Sequence, residues 1–141
     1  MSVETLDAIR KSVVVAAPVD VAWTLFTERM GEWWPLHSHS HGGEEVETAF
    51  VTPERIFERW KDGTEKTWGH MLAWEPPRRM LFTWEVSDDC GNEVEVTFTP
   101  EGGTTLVELE HRGWDSSARD KWRDYDSGWG TVLSHLEGAT V

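Results

Sequence analysis

A single cysteine, Cys90, stands in the whole chain, so no intramolecular disulfide can form, and neither a C-x-x-C pair nor a Cys/His zinc spacing exists. That scarcity favours a reducing cytoplasm. No apolar run approaches the roughly 20 residues that a membrane span needs. The first residues, MSVETLDAIRKSVVVAAPVD, place acids ahead of a short apolar run, unlike the basic region of a cleavable signal. Basic residues are also few: 13 against 26 acids leave a net charge of −13, which repels phosphate backbones and anionic head groups at long range. Nucleic acid and membrane surfaces are therefore poor partners. The acids are spread along the chain rather than gathered into a tail, and read as a solvated surface.

What the chain has in excess is tryptophan, ten of them in 141 residues. Each is a large, stiff surface whose indole N–H wants a partner when buried. They either fill a core or line a cavity that a flat apolar ligand enters, and periodicity decides how they group. The length fits one domain, 1–141, around one core, with no linker, repeat or low-complexity segment.

Residues 9–17, IRKSVVVAA, predict a strand, and Pro18 opens a helix over 18–29 at a place where its missing N–H costs nothing. Gly31 and Pro35 bound a second short turn. From about residue 45 to 112 the period changes to that of short antiparallel strands separated by turn signals, with Cys90 in the turn 88–92. Alternation places Trp68, His70, Leu72 and Trp74 on one apolar face, with Met80, Phe82 and Trp84, Val94, Val96 and Phe98, and Val107, Leu109 and His111. After Trp114 the period returns to 3.6: Asp115 or Ser116 can cap a helix whose stripe holds Trp122, Tyr125, Trp129 and Leu136. Gly128 and Gly130 cost about 1 kcal/mol each in such a helix, so close packing or room for a ligand is expected there. The order predicts an α+β fold in which a curved antiparallel sheet of about seven strands wraps a long C-terminal helix, with two short helices after the first strand.

Four phrases, APVDVAWTLFT at 17–27, WWPLxxHS at 33–40 read with His39-Ser40, GHMLAWEPPRRMLFTW at 69–84 and GWGTVLSHL at 128–136, resemble the helix-grip fold of the START-like SRPBCC superfamily. The likeness is to its branch named after the activator of heat-shock-protein-90 ATPase, which adjoins the polyketide cyclase-like proteins. The resemblance implies a deep, largely apolar cavity between the sheet and the last helix, used to bind or transform hydrophobic small molecules. It brings no universal catalytic residue. The eukaryotic activators carry a separate N-terminal domain for much of their chaperone contact, so chaperone stimulation is not carried over, although an interaction role of that kind stays open.

The expected ligand-binding set is Trp33, Trp34, His39, Trp68, His70, Phe82, Trp84, His111, Trp122, Tyr125 and Trp129. His70 and His111 are the catalytic candidates, since an imidazole reaching into a cavity can orient a ligand or move a proton near neutral pH; the alternative is that they are core histidines. Glu58 is expected at the surface. His37, His39 and His41 alternate, and an extended segment would space them about 7 Å apart, too far for one ion without curling. They read as a polar lip on the cavity, and no metal or cofactor is expected. Cys90 lies among acids, which raise a thiol pKa, and Ser38 and Ser40 lack the G-x-S-x-G elbow of a serine hydrolase. The expected partner is a hydrophobic small molecule, with a homodimer left open; binding and a cyclase- or hydrolase-type reaction remain the two functional readings.

Overall fold

A computed structural model describes residues 5–36, 38–40, 42–86, 92–115 and 118–139. The sequence motif positions His37, His41, Cys90 and Ser116 lie outside the described residues. Strand β1 (Ile9–Val15) is followed by helices α1 (Val19–Thr27) and α2 (Met30–Trp33), then, past a 3-10 turn at Gly43–Glu45, by six strands and a helix. These are β2 (Val46–Val51), β3 (Arg55–Trp60), β4 (Glu65–Glu75), β5 (Arg79–Thr83), β6 (Glu93–Glu101), β7 (Thr104–Arg112) and α3 (Arg119–Glu137).

The strands form one antiparallel sheet in the order β1-β7-β6-β5-β4-β3-β2, a meander whose last strand receives the first. It curls as a half-barrel with α3 against it, the helix-grip arrangement. Pro18 caps α1 from just outside, where it needs no hydrogen-bond donor, and the helix buries Ala22, Trp23, Leu25 and Phe26. Inward residues of the sheet meet them: Met80, Phe82, Val94, Val96, Phe98, Val107 and Leu109 are all buried. Helix α3 contributes Trp129, Val132, Leu133 and Leu136. Burying each side chain of that size stabilises the fold by roughly 1.5–3 kcal/mol before entropy is subtracted. Asp115 does not cap α3; the helix begins at Arg119, and Asp115 instead bridges to Thr5. Among the described residues no helix is long and apolar enough to cross a membrane.

Strand β4 departs from simple alternation twice. Trp68 is an extra residue opposite β3, and Leu72 an extra residue opposite β5. Each bulge exchanges inside for outside. Trp68 and Met71 therefore turn toward the core, His70 and Leu72 face solvent, and the second bulge brings Trp74 back against Trp23, ring centroids 5.0 Å apart. Gly69 sits in the first bulge, where a Cβ would lie 1.7 Å from the Thr83 carbonyl oxygen.

Candidate functional site

Four tryptophans from four different parts of the chain close into a quartet. Trp34 follows α2, Trp68 is the β4 bulge residue, Trp84 follows β5 and Trp129 lies on α3. Their ring centroids are 4.9 Å apart for Trp34 and Trp68, 6.2 Å for Trp68 and Trp84, 5.2 Å for Trp84 and Trp129, and 5.7 Å for Trp129 and Trp34. Tyr125 stands edge-on to Trp84 at 5.9 Å. Contacts of this kind each add about 0.5–1.5 kcal/mol beyond burial, so the quartet is a rigid wall.

On one side of it lies a cavity of about 260 Å³, just under the usual range for small-molecule sites. The quartet and Tyr125 line it together with Ser38, His39, Ser40, Val86, Asp124, Gly128 and Val132. The indoles are buried, while Ser38 and Asp124 are exposed and His39 half-buried, so the polar residues form the rim. Helix α3 supplies Asp124, Tyr125, Gly128, Trp129 and Val132, whose spacing puts one helical face on the cavity.

Hydrogen bonds lock the wall. Trp34 Nε1 donates to the His39 carbonyl (2.8 Å), which ties the rim loop to the quartet. Glu58, fully buried, accepts from Trp68 Nε1 (2.6 Å), from Trp60 Nε1 (2.7 Å) and from the Gly42 amide (2.9 Å). One carboxyl thus joins strand, wall and loop. Trp129 Nε1 donates to His111 Nδ1 (2.9 Å). Because Nδ1 accepts, the proton of the neutral ring must sit on Nε2. Burial keeps that ring neutral by pushing its pKa down to about 3. Among the described residues Trp84 Nε1, Asn92 Oδ1 and His111 Nε2 are buried without a hydrogen-bond partner.

Of the expected binding residues, Trp34, His39, Trp68, Trp84, Tyr125 and Trp129 come together around the cavity, and the other five do not. Trp33 is buried behind Trp34 with its Nε1 bonded to the Leu25 carbonyl. Phe82 is core beneath Trp84. Trp122 reaches across to the Asp7 carbonyl (2.9 Å) and secures the segment before β1. His111 stands behind the wall, packed between Trp114 and Tyr125. His70 points outward because of the first β4 bulge, and its Nδ1 pairs with Glu85 (2.7 Å). Hydrogen bonds from Thr83 and His70 hold the Glu85 carboxyl below the usual range. His70→Ala is expected to leave ligand affinity unchanged and to shift stability by no more than about 0.5 kcal/mol, as calorimetric titration and urea melts of the variant would record.

Sequence reasoning missed Asp124, Val86 and Val132 at the cavity, and placed Glu58 on the surface although it is fully buried. A signal for Glu58 was present: it shares parity with the core residue Ile56 in RIFERW. Gly128 faces the rim, where an added Cβ would touch the His39 ring at 3.8 Å, whereas one on Gly130 would meet nothing, so packing does not account for Gly130. Among the described residues no three His, Cys, Asp or Glu side chains converge as a metal site would require.

A curled antiparallel sheet gripping its last helix across an aromatic cavity defines a helix-grip protein. The chain belongs to the family described as Activator of Hsp90 ATPase homolog 1-like protein, which matches residues 16–140. CalC from Micromonospora echinospora, a self-sacrificing resistance protein, is similar in structure with a TM-score of 0.75 and 26% identity, over 94% of this chain and 92% of that one. Txn09, an anthrahydroquino-gamma-pyrone synthase complexed with SUM, is 38% identical over 79% of each chain, with a TM-score of 0.52. CalU16 from the same Micromonospora species matches at a TM-score of 0.64 and 24% identity over 96% of this chain and 81% of that one, a likeness of fold. A search of curated proteins finds no match to the chain.

Proposed function

We propose that this protein binds a hydrophobic, aromatic small molecule in the cavity between the sheet and α3. The observation that carries the reading is the quartet-walled space itself: four indoles, three of them locked by hydrogen bonds, and Tyr125 around about 260 Å³, with polar groups at the rim. An apolar cavity with a few placed polar groups is the usual form of a ligand site. The likeness to Txn09, described as a synthase and solved in a complex, agrees with it. The single cysteine supports the cytoplasm as its place of work.

One observation favours a second reading, proton transfer on the bound molecule. Ser38 Oγ and His39 Nδ1 are 2.7 Å apart, an arrangement that orients the ring, and His39 Nε2 lies beside Gly128 in the cavity wall. The catalytic candidate would then be His39 rather than His70 or His111.

A panel of aromatic, lipid and polyketide-like compounds, followed by intrinsic fluorescence and by the indole N–H resonances, tests the first reading. Ligands are expected to move Trp34, Trp68, Trp84 and Trp129 and to leave Trp122 still. His39→Ala should weaken binding by roughly three- to tenfold, the worth of one hydrogen bond. A panel that moves none of the quartet removes the cavity reading. Undiminished turnover in His39→Ala, once a substrate is found, removes the second.

A further inference from the structure

We propose that the cavity selects ligands carrying a positive charge, a protonated amine or quaternary ammonium on an aromatic body, and rejects carboxylates of the same shape; this rests on the cavity reading above. Three independent features point the same way.

First, the wall is electron-rich. An aromatic ring attracts a cation to its face through its quadrupole, indole most strongly. The N–H edges of Trp34, Trp68 and Trp129 are already donated to the His39 carbonyl, the Glu58 carboxyl and His111 Nδ1. What these residues offer the cavity is therefore aromatic carbon. Donation of an N–H to a carboxyl or imidazole acceptor also pushes electron density back into the indole, because linked hydrogen bonds polarise one another. The wall is thereby a better partner for a cation than free indoles would be.

Second, the charged group on the rim is an acid. Asp124 lines the cavity, and none of the described lining residues is a lysine or arginine. A carboxylate ligand would meet no lysine or arginine among them. The unpartnered donors Trp84 Nε1 and His111 Nε2 are both inaccessible to solvent.

Third, the long-range field agrees with the local one. A net charge of −13 raises the concentration of cations near the surface and lowers that of anions.

The test uses one skeleton with four heads: naphthalen-1-ylmethylammonium, its N,N,N-trimethyl form, 1-naphthalenemethanol and 1-naphthoate. Each is titrated by calorimetry at pH 7 and low salt, with indole N–H shifts locating it. Both ammonium compounds are expected to bind about tenfold more tightly than the alcohol, and the naphthoate more weakly than the alcohol. Asp124→Asn, an exposed substitution, should take about threefold from the ammonium compounds and nothing from the alcohol. Naphthoate binding as tightly as the ammonium overturns the charge preference while leaving the cavity reading intact, and so does an ammonium that gains nothing over the alcohol. Failure of all four to move the quartet resonances overturns both.

Discussion

Acidifying the protein from pH 7 to pH 4 is expected to remove about 3 kcal/mol of stability through His111 alone. The imidazole is fully buried, and burial lowers its pKa from 6.5 to about 3. In the unfolded chain the same ring takes a proton near its ordinary value. Between the two values the unfolded state holds more protons, so this contribution is complete above about pH 6.5 and is lost as the pH falls toward 3. Other groups add losses of the same sign at lower pH. Hydrogen bonds from Arg55 and Arg59 hold Glu65 low, and those from Arg79 and Arg112 do the same for Glu95. The comparison therefore needs His111→Phe, which keeps an aromatic body among Trp84, Trp114 and Tyr125 but cannot be protonated. Chemical denaturation of both proteins at several pH values should give a steep curve for the native sequence and a flatter one for the variant. Parallel curves would show that burial does not hold the imidazole neutral.

Glu58→Gln is expected to cost about 3 kcal/mol, measured by urea denaturation. Among the described residues the native carboxyl accepts hydrogen bonds from Trp60, Trp68 and the Gly42 amide. An amide in the same place turns one acceptor into a donor aimed at other donors, which leaves buried N–H groups unmatched. The damage should appear at the site too, since Trp68 belongs to the wall and Gly42 follows the rim loop. Trp68 and Trp60 indole resonances should shift together. A variant as stable as the native protein would mean that the three donors find other acceptors.

Much of the fold was legible in the chain because the strands that dominate the core run without interruption. In β5, β6 and β7, Met80 and Phe82, Val94 to Phe98 and Val107 to His111 keep strict alternation, and each inward residue is buried. The stripe positions Trp129 and Leu136 on α3 were equally clear, since a helix of that length buries one face. The site was legible only where local period and tertiary position coincide. Strand β4 hid its directions, because a bulge leaves no mark in a hydrophobic pattern, and His70 was misplaced by that slip. The stripe also misled at Trp122, which is bound to the Asp7 carbonyl at the helix's far end. Parity with Ile56 marked Glu58 for burial but not for its role, which depends on Trp68 and Gly42 meeting it from other segments.

The seating of β1 beside β7 has a kinetic consequence. Ile9 pairs with His111 and Val15 with Thr105, so β1 finds its partner only after the five strands between them have been synthesised. Closing so large a loop carries an entropic cost that grows slowly with length, and contacts between distant residues slow folding. The meander from β2 to β7 can zip by short steps, whereas β1 must dock across the whole of it. During that interval the β7 edge and the inward side chains Ile9 and Val15 stand uncovered. Folding on the ribosome should therefore end, rather than begin, with the N-terminal strand.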